Sequence, residues 1–182
     1  MSEEIENRES RGEQKPSDVV VFSPEVLAMA DRRRRQKAEE LETCRQAAED
    51  GDSQAQVQMG LHYIYGTHGV ERDGKKAFEW FSQTASDDPV GRYWLGVCYD
   101  NGTGVERDGD RAFELFKESA DMGYAPAQCD LGVCYETGQG TEPDLDMAIE
   151  LYKQSAEQDY PMAKCNLGAL YYFAAGVERD YD

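Results

Sequence analysis

The sequence predicts an all-α solenoid of stacked helix-turn-helix repeats, and three observations predict it. Gly60, Gly96, Gly132 and Gly168 recur at a constant interval of 36 residues. Each sits in a version of A-x-x-x-L-G-x-x-Y, written as Ala127, Leu131, Gly132 and Tyr135 in the third copy and as Ala163, Leu167, Gly168 and Tyr171 in the fourth. A glycine-rich loop ending in aspartate recurs as well: GVERD at 69–73, 104–108 and 176–180, and GTEPD at 140–144. Self-similarity at a period of roughly 20–50 residues marks units that cannot cover their own apolar faces and must stack to do so.

The elements follow in chain order. Residues 1–22 form a charged tail, too poor in apolar residues up to about residue 18 to offset the entropy of ordering, and are expected to be disordered. Within it the run VVVF (Val19–Phe22) is expected to pack against the neighbouring helix, a docking segment being the sharper alternative. The segment 23–50 reads as a helix, with Ser23 as N-cap and Pro24 at the first position, where its missing N–H leaves no bond unmade. Its run Arg32–Arg35 suggests a localisation signal or an anionic-surface contact, but flanking Asp31, Glu39, Glu40 and Glu42 favour a solvated face.

Residues 51–182 are the repeat array, about three and a half repeats with the last incomplete. In the first helix of each repeat, helix A, spacing by four sets alanine, leucine and tyrosine on one face, and the glycine removes a side chain where another helix must approach. The loop then reads as a helix stop, a link and a helix start. Glycine takes the left-handed conformation that ends helix A, and Asp73, Asp108, Asp144 or Asp180 caps helix B. Helix B carries a stripe at offsets 0, 3, 4, 7 and 8: Ala77, Trp80, Phe81, Thr84 and Ala85, then Ala112, Leu115, Phe116, Ser119 and Ala120, then Ala148, Leu151, Tyr152, Ser155 and Ala156. The first copy inserts His68 in its loop and is one residue shorter around SDDPVGR, so the period survives.

These linked patterns resemble the Sel-one-like repeat, a relative of the tetratricopeptide repeat, over roughly residues 44–182. The resemblance implies paired antiparallel helices in a right-handed superhelix, used as scaffold, adaptor or partner-recognition surface. A secreted, cysteine-rich branch of that family sets one cysteine directly after the alanine that ends helix B. Here Ser86, Asp121 and Glu157 hold that position, and Cys98, Cys129, Cys134 and Cys165 lie inside helix A motifs with Cys44 before them. Five thiols, an odd number, read as buried small hydrophobes rather than a disulfide framework.

Charge and motif content narrow the function. The chain carries a formal charge of −18, and residues 51–182 hold 24 acidic against 10 basic side chains. Such a surface repels phosphate backbones and attracts basic protein segments, so nucleic acid is not an expected partner. The N-terminus lacks the basic-then-apolar order of a signal peptide and no run is membrane-spanning, which leads us to expect a soluble, cytosolic protein without a membrane partner. No cofactor or metal is expected: His62 and His68 are the only histidines, and no C-x-x-C or H-x-x-x-H occurs. The loop glycines lack the lysine and hydroxyl of a phosphate loop, and no activating motif accompanies any thiol, so no enzyme is expected.

By the resemblance, partner recognition falls to helix A residues outside the core motif, on the concave side. The column three before each motif glycine is Val57, Tyr93, Cys129 and Cys165, beside Gln58, Trp94, Asp130 and Asn166. Next come Leu61, Val97, Val133 and Ala169, and then Ile64, Asp100, Glu136 and Tyr172. The expected protein-binding set is Tyr93, Trp94, Val97, Asp100, Cys129, Asp130, Val133, Glu136, Asn166 and Tyr172. Trp94 is either its anchor or a compensation for the altered turn before it. The aromatic and acidic character suits a basic or amphipathic segment. The alternative function is an acidic inhibitor or immunity-type protein that blocks a basic active site. Only Tyr181 and Asp182 follow Asp180, so the expectation is a piece of a longer array or, as the other possibility, end-to-end self-association through unmatched terminal helices.

Overall fold

The computed structural model describes residues 22–84 and 86–174. Among these residues eight helices follow one another and no strand occurs: α1 (Pro24–Glu49), α2 (Ser53–Tyr65), α3 (Gly74–Thr84), α4 (Pro89–Asn101), α5 (Gly109–Asp121), α6 (Ala125–Thr137), α7 (Leu145–Glu157) and α8 (Pro161–Ala174). Helices α2, α4, α6 and α8 are the helix A elements, and α3, α5 and α7 are helix B. Each helix packs on its neighbour in sequence, and α2 also touches α4 across α3. The result is a helical solenoid. The expectations for residues 1–21 and for the loop and cap of the fourth copy lie outside the described residues.

Caps explain where the helices begin and end. The carboxylates of Asp52, Asp88, Asp108 and Asp144 accept hydrogen bonds from the backbone N–H groups of Ala55, Val90, Arg111 and Met147, and Asp73 accepts from Lys75 and Lys76. At the other ends Gly66, Gly102 and Gly138 are left-handed and donate to the carbonyls of His62, Cys98 and Cys134. The second loop glycine has a separate duty. At Gly140 a side chain would lie 2.6 Å from Phe113 and 2.8 Å from the Gly109 carbonyl, and at Gly104 it would overlap the Gly74 carbonyl. Successive loops therefore stack on the first turn of the preceding helix B, and only glycine leaves room.

The core runs along the array. Val57, Ala77, Phe81, Leu95, Cys98 and Leu115 are buried together, followed by Ala112, Phe116, Ala120, Ala127, Leu131, Cys134 and Leu151. Both groups draw on neighbouring repeats, as a solenoid requires. The motif glycine of helix A receives the aromatic ring of its own helix B. A β-carbon at Gly96 would stand 2.8 Å from Phe116, and one at Gly132 would stand 2.7 Å from Tyr152. Helix B is further fastened by hydroxyls, since Ser119 Oγ donates to the Pro89 carbonyl at 2.7 Å and Ser155 Oγ to the Ala125 carbonyl at 2.6 Å.

Two expectations about the core are corrected. The motif tyrosines share the predicted face of helix A with its alanine and leucine, yet Tyr135 is only half-buried, with its ring edge against Phe113 at 5.5 Å, and Tyr171 is 54% exposed. The glycine notch turns the centre over to Phe81, Phe116 and Tyr152, which come from helix B. The thiols also divide: Cys98, Cys129 and Cys134 are buried, Cys44 is half-buried and Cys165 is exposed, and all five are free. Cys165 lies on α8, which packs chiefly on α7.

Helix α1 behaves as a helix B at its C-terminal half only. Leu41 and Ala48 are buried with Ala55 and Met59 of α2, while none of residues 24–40 is buried. Arg32–Arg35 are exposed, and Arg34 pairs with Asp31 at 3.2 Å one turn away.

Candidate protein-binding groove

The helix A elements lie side by side and join across repeats through side chains. Tyr93 Oη on α4 donates to Asp130 Oδ2 on α6 at 3.0 Å, and Asn166 Nδ2 on α8 contacts Cys129 Sγ on α6 at 3.6 Å. Gln139, just past α6, donates from Nε2 to Asp100 Oδ1 on α4 at 2.6 Å. Asp100, Asp130, Val133 and Gln139 line a cleft of about 140 Å³ floored by Phe116 and Cys134.

Several of the expected residues meet here. Tyr93 sits at the centre of an aromatic cluster, edge-on to Trp94 at 5.5 Å and to Tyr124 at 5.3 Å, with Phe116 at 5.7 Å. Trp94 lies flat on Phe81 at 5.8 Å, so it is half-buried and partly structural. Val97 is half-buried against the same core, and Val133 is exposed on the face. Glu136 is exposed and accepts the Tyr152 hydroxyl at 2.7 Å, half-buried Asn166 holds Cys129, and Tyr172 lies exposed on α8 apart from the cleft-lining residues.

Cys129 does not face the groove. Its side chain is fully buried with Ala148, Tyr152 and Ala163. Val57, three before the first glycine, is likewise buried. In the first and third copies the position three before the glycine is buried against the next elements of the array, whereas Cys165 in the fourth is exposed. Tyr93 escapes burial by its size, which carries the hydroxyl out to Asp130.

Two residues on this face escaped the sequence reading. Positions 52, 88, 124 and 160 precede the four helix A elements and hold Asp52, Asp88, Tyr124 and Tyr160. The aspartates cap their helices, whereas Tyr124 makes no side-chain cap bond. Losing a cap costs about 1 kcal/mol, and a tyrosine in its place joins the aromatic cluster. The signal was present as a column that changes from aspartate to tyrosine, but it lay outside the motif columns. Tyr124→Asn restores a cap worth about 1 kcal/mol but removes a half-buried ring whose contact with Tyr93 is worth about 0.5–1.5 kcal/mol beyond its buried area, so the urea midpoint is expected to stay level or fall.

Electrostatics single out Asp130. Among the described residues no cation lies within ion-pair distance of it, while Asp100 has Arg107 at 3.7 Å. Burial raises the Asp130 carboxyl above the usual carboxylate range and the nearby Asp100 charge adds to this, against the lowering effect of the Tyr93 hydrogen bond. The folded state therefore takes up this proton at a higher pH than the unfolded chain. Stability from this group is gained as pH falls through its raised pKa and is absent above it. Asp130→Asn keeps the acceptor for Tyr93 and is expected to melt at or above the wild-type temperature at pH 7, with the difference shrinking toward pH 4.

The thiols offer no nucleophile in the core. Burial pushes Cys98, Cys129 and Cys134 each up to about 12, far from thiolate at neutral pH. Native-state labelling with a maleimide is expected to modify Cys165 first and Cys98, Cys129 and Cys134 only on unfolding; rapid labelling of the buried three contradicts the packing described. Among the described residues no group of three or more metal-ligating side chains is assembled, and no helix is long and apolar enough to cross a membrane.

A profile of the Sel1 repeat matches residues 53–88, 89–124, 125–160 and 161–182 in register. The chain belongs to the Sel1 repeat family. The boundaries fall immediately after Asp52, Asp88, Tyr124 and Tyr160, so the helix A cap closes each unit. This Sel1 repeat protein is similar to one from Oxalobacter formigenes at 31% identity, covering 71% of this chain and 98% of that one with a TM-score of 0.62. It is also similar to c5321, described as a protective antigen in uropathogenic Escherichia coli strains, at 32% identity and a TM-score of 0.70 over 79% of this chain, but it spans 31% of that protein. Helicobacter pylori cysteine rich protein B shares the fold at 17% identity and a TM-score of 0.56, over 71% of this chain and 96% of that one. No curated protein matches the chain. Sel1 repeat proteins generally mediate protein–protein interaction and are typically non-catalytic scaffolds.

Proposed function

We propose that this Sel1 repeat protein is a non-enzymatic adaptor that binds a basic or amphipathic protein segment along its helix A face. Asp130 carries the reading: a half-buried carboxylate with no cation within ion-pair distance among the described residues, beside Asp100 and hydrogen-bonded to Tyr93, is stabilised by an incoming guanidinium or ammonium group. Tyr93, Trp94, Tyr124 and Tyr160 supply flat, rigid contact area at low entropy cost and cation–π attraction to the same group. Val97, Val133, Asp100, Glu136, Asn166 and Tyr172 flank this centre, while Cys129 supports it from the core. The protein is also read as cytosolic, from the free thiols.

The test is capture from lysate on immobilised wild type and on Asp130→Lys, followed by titration of the purified partner. A partner that binds wild type and loses at least about tenfold in affinity on Asp130→Lys supports the groove. Equal affinity for both proteins removes the groove as the binding site. Elution by modest salt alone favours an acidic inhibitor over an adaptor, since exposed charges are screened within about 8 Å at physiological ionic strength.

A further inference from the structure

The one strongly basic feature of the chain is carried beyond the packed array. Helix α1 has 26 residues and α2, on which it packs, has 13. At about 1.5 Å per residue these are about 39 Å and about 20 Å long, so roughly half of α1 overhangs. The first buried residue of α1 is Leu41. The overhang therefore contributes no core, and a helix of this length is marginal in water without tertiary support. Its first turns expose Val26 (48%), Leu27 (52%) and Met29 (66%). The overhang as a whole, residues 24–40, sets Arg32–Arg35 and Lys37 against Glu25, Asp31, Glu39 and Glu40, with the basic side chains gathered at 32–37.

An apolar tip followed by a basic run is the chemistry that the aromatic and acidic groove takes. The rest of the protein is strongly acidic, so the arm and the groove are complementary in charge. They cannot meet within one molecule. Helix α1 is continuous from Pro24 to Glu49 and its C-terminal half is fixed on α2, so the overhang cannot fold back onto α4 and α6 without breaking.

We propose that the overhanging arm of α1 docks in the groove of a second copy, with the arginine run on Asp130 and Asp100 and the apolar tip on the rings of Tyr93 and Trp94. This rests on the groove reading above and names its occupant. The contact joins two different surfaces, so it generates either a reciprocal pair or a head-to-tail chain, and a foreign basic segment must compete with it. Assembly then occludes the groove until a better ligand displaces the arm.

Complementation between full-length variants tests this. Arm-dead protein carries glutamine at positions 32–35 in place of Arg32, Arg33, Arg34 and Arg35, and groove-dead protein carries Asp130→Lys. Arg32–Arg35 are exposed, whereas Asp130 is half-buried and accepts from Tyr93, so circular dichroism and a thermal melt check that each variant keeps its fold. At about 100 µM, where a micromolar contact is saturated, wild type is expected to sediment as dimer or larger and each variant alone as monomer. An equimolar mixture of the two variants is expected to form a heterodimer, because one arm and one groove remain intact. Monomeric wild type overturns the proposal and leaves the foreign-partner reading to its own test. Association of the arm-dead protein alone overturns the arm as occupant, association of the groove-dead protein alone overturns the groove as receptor, and a mixture that stays monomeric overturns their pairing.

Discussion

Tyr152→Ala is expected to lower the unfolding free energy by about 3–5 kcal/mol, the largest single-residue loss in the array. The ring is fully buried, fills the notch left by Gly132 and packs with Cys129, Ala148 and Ala163. Its hydroxyl also donates to Glu136 at 2.7 Å, tying helix B to the outer turn of helix A. Neighbouring helices cannot close on the vacated space without losing the Ser155 to Ala125 bond that fixes their separation. Tyr135→Ala, by contrast, removes a half-buried ring at the edge of α6 and is expected to cost about 1–2 kcal/mol. Urea melts of the two variants read the difference directly, and a Tyr135→Ala loss equal to that of Tyr152→Ala would return the motif tyrosine to the core. Because repeats touch mainly their neighbours, the same melts are expected to broaden for Tyr152→Ala as the last repeat uncouples.

The second large effect is a pair of substitutions with opposite consequences. Gly91 stands at the register position filled by Ala55, Ala127 and Ala163 in the other copies, and Thr84 stands where Ser119 and Ser155 occur. A β-carbon at Gly91 would overlap Thr84 Oγ1 and Cβ. Serine carries the same two atoms, so the cause is the turn: seven residues separate Thr84 from Gly91, against eight from Ser119 to Ala127 and from Ser155 to Ala163, and the shorter link brings the helices close enough that only glycine fits. Gly91→Ala alone is expected to destabilise by about 1–3 kcal/mol through overpacking, outweighing the gain of about 1 kcal/mol that alanine brings to a helix interior. Thr84→Ser keeps both overlapped atoms, so adding it to Gly91→Ala is expected to recover little of that loss, whereas Thr84→Gly, which removes both, is expected to recover more of it. A thermal double-mutant cycle measures the coupling, and additivity within about 0.3–0.5 kcal/mol would show that the two positions do not share the space.

The fold was legible because its physical causes are local and repeated. Periods of four on helix A, offsets of 3, 4, 7 and 8 on helix B and capping aspartates each act within a turn or two of the residue that carries them, and four copies average out accidents. The groove was legible in part. Asp130, Tyr93, Asp100 and Val133 lie close together on one face, and their variation between copies at fixed register is what drew attention to them. Cys129 was misplaced because a helix covered from both sides has two buried stripes, and a pattern read for one stripe assigns the other to solvent. Tyr124 and Tyr160 were missed because their effect on the face depends on Tyr93, more than thirty positions away in sequence for the one and more than sixty for the other.

The sequence by itself determined the repeat length, the helix boundaries, the glycine stops and the acidic character of this Sel1 repeat protein, because each follows from neighbouring residues or from composition. Tertiary structure alone decided which aromatic ring fills each glycine notch, why Gly91 accompanies Thr84, and that Asp130 has Tyr93 on it and no cation within ion-pair distance among the described residues. Those outcomes depend on the distance between helices, and interhelical distance is set by the summed fit of all the side chains between them rather than by any one residue.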